Sequence, residues 1–512
     1  MKIYNGYERL PRNYTMMTDM YEMTMAYGYF LSGRHKCEAV FDAFFRKVPN
    51  GGGYAVMAGL DKVIEYVKDL KFSEEDLQYF REFGFKEEFI EYLKNFKFTG
   101  DIYAIPDGTP VFPNEPLITV KAPLVEAQIV ETAILSHING AMEHATGARV
   151  IIESTPKNKE VFMMNPNKLQ EINEDNIHAK SRYAVMEFGA RRADGCEAAI
   201  DSSIYGIMAG CVGTSNVIAA RMLDQKAMGT MAHSWIESFE NEYEAFKTYA
   251  EIFPQNCLLL VDTIDTLKSG VPNAIKTFKY MESNNISTDH IGIRIDSGDL
   301  AYLSKEARKM MDKAGFPQAK ICLSNGLNAE TIESLILQGA QFDSLGVGDN
   351  ISKPEGRMGC VYKEVALKEN GEWKPKIKLS NDVIKIVNPG YKKLYRAYDN
   401  ETGYAIADIL TTIDEKIKED NLIIVSPTDY LKRMKIKNYK LKELQKQIFS
   451  NGELIYDDPD IAEKQIYCDK QMSTLYPEVR RNKNPHGYYV DGTEEYVKFK
   501  NDLIEKTRDM QV

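Results

Sequence analysis

Between residues 183 and 365 the chain repeats one theme: a short apolar run ends in Gly, Asp, Ser or Asn, and a stretch with helical spacing follows. Seven runs are predicted as strands: YAVMEFG (183–189), GIMAGCVGTS (206–215), KAMGTMAHS (226–234), CLLLVDT (257–263), IGIRIDSGD (291–299), KICLSNG (320–326) and FDSLGVGD (342–349). After Asp299, Leu300, Leu303, Ala307, Met310 and Ala314 recur at steps of three and four, one face of a helix that Gly315 and Pro317 stop. Asn328 is the predicted N-cap of the next helix, with Ile332, Leu335 and Ile336 as its apolar stripe and Gly339 at its end. Near-continuously apolar strands alternating with helices predict a parallel sheet covered by helices. Polar residues end several different strands (Asp262, Asp296, Ser324, Asn325 and Asp349). That pattern suits the C-terminal rim of a (β/α) barrel, where an open sheet would gather its site at one switch point.

The flanks follow a different pattern. Residues 1–145 carry FDAFFRKV and DIYAIPDGTPVFPNEPLITVKAP, the second punctuated by Pro and Gly as antiparallel sheets are, and predict a separate α+β part. The barrel is assigned to 146–370 and a further strand-rich part to 371–512, which includes the Lys-rich run LKRMKIKNYKLKELQKQ from 431 and is expected to end in a Lys-rich helical tail.

Composition narrows the function classes. The 512 residues, 44% hydrophobic and 27% charged, belong to an ordinary globular protein of two to four domains. A formal net charge of −11 argues against a nucleic-acid scaffold, so any anionic ligand must meet a local basic pocket. The opening MKIYNGYERLPRNYT lacks a signal-peptide pattern, no apolar run approaches membrane-span length, and the seven cysteines form neither a CxxC pair nor a zinc pattern. A cytoplasmic protein with reduced thiols is expected.

Familiar nucleotide signatures are missing. PNGGGY (49–54) has no following GK[ST], and no GxGxxG opens a βαβ unit. LLLVDTIDT (258–266) leaves two acids at a strand end, Asp262 and Asp265, of which Asp265 reads equally well as a helix cap. In IRIDSGD (293–299), Arg294 and Asp296 alternate with Ile293 and Ile295 and share a strand face; they can pair with each other or meet a phosphate and a metal-bound ribose. EFGARRADG (187–195) sets Phe188 beside arginines, a pairing able to hold a flat anionic ring, and GVGD (346–349) offers unhindered backbone amides for a phosphate. His233 in GTMAHSW lies at a predicted strand end, level with Asp262 and Asp296.

Taken in order, TDMYEMTMAY (18–27), FDAFFRKVP (41–49), EFGARRADG, GCVGTSNV (210–217), GTMAHSW, VDTIDT, RIDSGD, SNGLN, GVGD, KLS (378–380) and PGYKKLYR (389–396) resemble the nicotinate phosphoribosyltransferase family. The resemblance implies an irregular α/β barrel with a sandwich-like domain built from both chain ends, and homodimers that share their active sites. It further implies ATP-coupled synthesis of nicotinate mononucleotide and pyrophosphate from nicotinate and phosphoribosyl pyrophosphate, a step of NAD biosynthesis, with Mg2+. By it Phe188, and Tyr21 with Asp19 from the other subunit, would hold the pyridine ring, and Arg191 would face its substituent. His233 would be the histidine that ATP phosphorylates, and Asp262 and Asp296 would meet magnesium and ribose hydroxyls. Arg294, Ser324, Asn325, Gly326, Gly346 and Gly348 would lie along the phosphate and ribose path, with Lys392 and Arg396 closing over it. Ser215 stands where the nicotinamide relative carries an aspartate; its hydroxyl can donate to a carboxylate that an aspartate would repel, which favours nicotinate. Quinolinate phosphoribosyltransferase, and a barrel that binds nucleotide without turnover, are the competing readings; a second substrate carboxylate and the intact His233, Asp262 and Asp296 argue against them respectively.

Overall fold

The computed structural model describes residues 13–155, 183–379, 386–417, 422–429 and 431–509. Most of the opening segment and Ser380 of KLS lie outside the described residues.

Six parallel strands form the central sheet, in the order Gly213–Thr214, Ala184–Glu187, Ser344–Val347, Lys320–Leu323, Ile291–Ile295 and Cys257–Leu260. No ladder joins the two outermost strands among the described residues. Residues 226–232 span the gap instead: the Met228 N–H donates to the Thr214 carbonyl at 2.8 Å, and the Asn256 side chain donates to the Gly229 carbonyl at 2.9 Å. The barrel is therefore irregular, a curled parallel sheet with a seam. Two expectations change here. Residues 206–208 end the helix Cys196–Met208, leaving a strand of two residues, and 226–234 forms no strand.

The polar residues that follow the strands start the next helices. Asp299 accepts from Tyr302 N–H at 2.9 Å and Asn328 from Thr331 N–H at 2.8 Å, each meeting a donor the helix leaves free. Helix Leu300–Lys313 buries Leu300, Ala301, Ser304, Ala307 and Met311, so its inner face is rotated slightly from the predicted one; Leu303 and Met310 sit at its edge.

The second, β-rich part draws on both chain ends. One sheet runs Glu372–Pro375, Val361–Glu369, Glu38–Phe44, Ile118–Pro123, Asp101–Ala104, Lys446–Ser450, Glu453–Leu454. The other runs Arg433–Ile436, Leu422–Val425, Tyr489–Thr493, Ala405–Thr412, Lys392–Asp399, Tyr439–Glu443. The Lys-rich run from 431 thus supplies three strands; the terminal helix is Glu494–Asp509. The long helix Glu131–Glu153 continues across residue 145 and packs against Cys196–Met208, welding the two parts together.

Candidate active site

Four strands deliver their last side chains to one place. Phe188 follows Ala184–Glu187, and the Arg294 guanidinium lies 5.8 Å from the centre of its ring. Arg294 Nε donates to Ser324 at 2.8 Å, one Nη donates to Asp296 Oδ1 at 3.1 Å, and the other reaches the Thr230 hydroxyl at 3.4 Å. Ser324 also donates to Asp296. The predicted Arg294–Asp296 pairing is therefore present, at a rim where both remain partly accessible.

Asp262 closes the group from the neighbouring strand. Its Oδ2 accepts from the Asp296 N–H at 3.0 Å and the Ser297 hydroxyl at 2.6 Å, while its Oδ1 is buried without a hydrogen-bond partner. A carboxylate oxygen left bare in this way is suited to a cation or a ribose hydroxyl. Three residues on, Asp265 caps the following turn, accepting from Lys268 N–H at 2.8 Å, so it has a structural role. His233 opens the helix His233–Glu237 at the end of the seam, half-buried, with Nδ1 3.0 Å from the Thr263 hydroxyl.

Glycines shape the floor. A Cβ on Gly346 would come within 2.5 Å of the Phe188 ring, so this position is kept bare by the aromatic ring itself and not for a phosphate alone. Asn325 and Gly326 both take positive φ, and Gly326 opens onto free space, as a ligand-facing turn requires. Gly348 precedes the short helix Asp349–Ser352, and Arg192 pairs with Asp349 at 3.3 Å. Arg191 is exposed on the turn Ala190–Arg192. Ser215 is half-buried and reaches the same rim through its N–H, which donates to the Glu187 carbonyl at 3.0 Å.

Two groups of predicted residues lie elsewhere. Lys392 and Arg396 do not close over the site: Lys392 is buried on Asp42, and Arg396, fully buried, makes a double contact with Asp408 at 2.7 and 2.6 Å beside the stacked Phe112 and Tyr488 rings. Buried cations hold such carboxylates in place of ligand phosphates. Within one chain, Asp19 and Tyr21 are held at the start of Glu131–Glu153, Asp19 accepting from Thr132 at 3.4 Å and Tyr21 lying beside Glu131. Burial and the neighbouring carboxylates hold the Tyr21 hydroxyl protonated, well above its ordinary range. Beside it, burial pushes buried Glu22 up to about 7. Sequence reasoning passed over Thr230, Thr263 and Ser297, three hydroxyls next to residues it had singled out.

Comparison with known proteins decides the family. Models described as the nicotinate phosphoribosyltransferase N-terminal domain, family and C-terminal domain match residues 16–139, 183–401 and 391–500. A nicotinate phosphoribosyltransferase of Bacillus subtilis is 38% identical over 94% of this chain and 93% of its own length. This chain belongs to the nicotinate phosphoribosyltransferase family. The Dictyostelium discoideum nicotinate phosphoribosyltransferase is 32% identical over 94% of this chain and 86% of its own. The crystal structure of human nicotinic acid phosphoribosyltransferase superposes with a TM-score of 0.78 at 25% identity, over 95% of this chain and 99% of that one. No described helix is long and apolar enough to cross a membrane.

Proposed function

We propose that this enzyme joins nicotinate to phosphoribosyl pyrophosphate, giving nicotinate mononucleotide and pyrophosphate in NAD biosynthesis, with ATP hydrolysis through a phosphohistidine at His233. One observation carries the reading: Arg294 spans from the Phe188 ring to Asp296 and Ser324, so an aromatic platform and an anion-binding cation face one space. Phe188 stacks on the pyridine ring, Ser215 donates to its carboxylate, and Arg191 supplies a nearby positive charge. Departure of pyrophosphate leaves oxocarbenium character at the ribose, so the site needs to neutralise the leaving group and hold the ring nitrogen in line; no nucleophilic side chain is required. Arg294 serves the first need and Phe188 the second.

Asp262 and Asp296 would hold magnesium, which the bare, buried Asp262 Oδ1 suits. Bound there, the ion would offset charge on the diphosphate. His233 Nδ1 lies 3.0 Å from the Thr263 hydroxyl; in the tautomer in which Nδ1–H donates to Thr263, the Nε2 lone pair is left to take the terminal phosphoryl group of ATP, with ADP departing. The added phosphate brings charge and acceptors that nearby cations can grasp.

A homodimer with shared sites fits the surface. Met17, Tyr21 and Met25 form an exposed apolar stripe, with Tyr21 47% exposed, and Val217, Ile218 and Met222 form another on the helix after Ser215, with Val217 72% exposed. Such patches are covered when a second copy docks. The seven free thiols fit a cytoplasmic location. Purified protein given nicotinate, phosphoribosyl pyrophosphate, magnesium and ATP is expected to release nicotinate mononucleotide, pyrophosphate and ADP. Equal turnover with nicotinamide would overturn the choice of substrate.

A further inference from the structure

Behind Phe188 lies a carboxylate that the transfer itself does not use. Side chains alternate along Ala184–Glu187, so Phe188 turns toward Arg294 while Glu187 turns the opposite way, beneath the helix Cys196–Met208. A Cβ on Gly206 of that helix would lie 3.5 Å from Glu187 Cγ, and Glu187 is fully buried. Three donors converge on it: the Gly189 N–H on one oxygen, and the hydroxyls of Ser203, at 2.9 Å, and Thr214 on the other. All three are neutral. A buried carboxylate without a cation is costly unless donors meet it; here three are in reach, although the Ser203 hydroxyl also reaches the Ala199 carbonyl at 2.9 Å.

The donors show what it connects. Gly189 is the turn immediately after Phe188, and a Cβ there would come within 2.6 Å of Ser352, so the turn has no room to drift. The Thr214 hydroxyl in turn accepts from the Asn216 N–H at 3.0 Å, and Asn216 donates to the Ala199 carbonyl at 3.1 Å. Ser215 stands between Thr214 and Asn216. Glu187 thus clips the turn carrying Phe188 to the strand end carrying Ser215.

We propose that Glu187 is a positioning residue for nicotinate: its two oxygens fix the separation of the Phe188 ring and the Ser215 hydroxyl, and so set the affinity for a pyridine carboxylate without touching it. The proposal rests on Phe188 and Ser215 being the base-binding groups. Glu187 shares no hydrogen bond with Arg294, Asp296 or Ser324, so the effect is confined to one of the two substrates.

The experiment is steady-state kinetics on Glu187→Ala, Glu187→Gln, Thr214→Val and Phe188→Ala, with KM measured for nicotinate and for phosphoribosyl pyrophosphate. Thr214→Val, which removes one of the three bonds to Glu187, is expected to raise KM for nicotinate about tenfold, and Glu187→Ala, which removes all three, at least as much; both are expected to leave the other KM nearly unchanged. Glutamine can keep its carbonyl on Gly189 and turn its amide to the two hydroxyls, which rotate to accept, so Glu187→Gln is expected to recover most of the loss. Equal rises in both KM values, or a lowered Tm with both KM values intact in Thr214→Val, would reduce Glu187 to a fold-stabilising group and overturn the proposal; Thr214→Val serves also if Glu187→Ala does not fold. Phe188→Ala separates the two layers. If it leaves KM for nicotinate unchanged, the base-site reading falls and the proposal with it; if it raises that KM while Glu187→Ala and Thr214→Val do not, the positioning role alone falls.

Discussion

The Thr263 hydroxyl sits 3.0 Å from Nδ1 of His233, one residue beyond the Asp262 carboxylate that receives the Asp296 N–H. The imidazole is thereby tied to the strand end that supplies Asp262. His233→Ala is expected to keep slow transfer and lose both ATP hydrolysis and its stimulation; full coupling of ADP release to product in that variant would overturn the assignment of the phosphohistidine to His233. Thr263→Val keeps the ring but frees it to rotate. ATP hydrolysis is then expected to fall roughly tenfold, the scale of one lost orienting hydrogen bond.

On the proposed binding of nicotinate, Ser215→Asp would set a carboxylate against the carboxylate of the substrate. KM for nicotinate should rise by about tenfold or more, equivalent to about 1.4 kcal/mol, with nicotinamide affected far less. An unchanged KM would remove Ser215 from the base site.

Arg396 predicts a stability effect and no kinetic one. Arg396→Ala would strand Asp408 in the β-rich part without its cation, and burial together with that same carboxylate already holds neighbouring Glu115 far above the usual carboxyl range. Losing one partner of a buried pair costs about 3–5 kcal/mol, which would appear as a lowered Tm. The folded fraction should retain its KM for phosphoribosyl pyrophosphate; a selective rise in that KM would restore Arg396 to the site.

Glu22 makes stability depend on pH. Burial raises its carboxyl from 4.5 to about 7 in the folded chain, so the folded state binds the proton more tightly than the unfolded one. Its contribution is complete below about pH 4.5 and is lost as pH rises through about 7. Against wild type, Glu22→Gln should therefore gain relative Tm across that window and hold a constant advantage above it. A Tm difference flat from pH 5 to 8 would contradict this.

The barrel strands were legible because strands such as Cys257–Leu260 and Ile291–Ile295 are buried on both faces, which leaves nearly continuous apolar runs. The same signal misled at 206–215, where an apolar run is the buried end of a helix, since short runs do not distinguish the two. The strands within the Lys-rich run show in its period: Met434 and Ile436, then Tyr439 and Leu441, alternate with cations and pack on one small core. Lys392 and Arg396 could not be placed from sequence, because what removes them from the site is a partner: Asp42, 350 positions away, and Asp408 across a strand pair. The placement of Phe188, Arg294, Asp296 and Asp262 was legible for the opposite reason: they lie at the ends of three strands, Arg294 and Asp296 sharing one, that meet at one rim. Glu187 was hidden in plain view, one position before Phe188 and on the face that periodicity assigns to packing.

The seam at 226–232 has a mechanical consequence. Along the rest of the wall, sliding one strand past another breaks a whole ladder; here the cross-links are one main-chain bond to Thr214, one amide contact from Asn256 and the reach of Arg294 to Thr230. His233 begins where that weakly stitched stretch ends. The imidazole thus adjoins the part of the wall held by single contacts instead of a ladder, and Thr230 ties that part to Arg294.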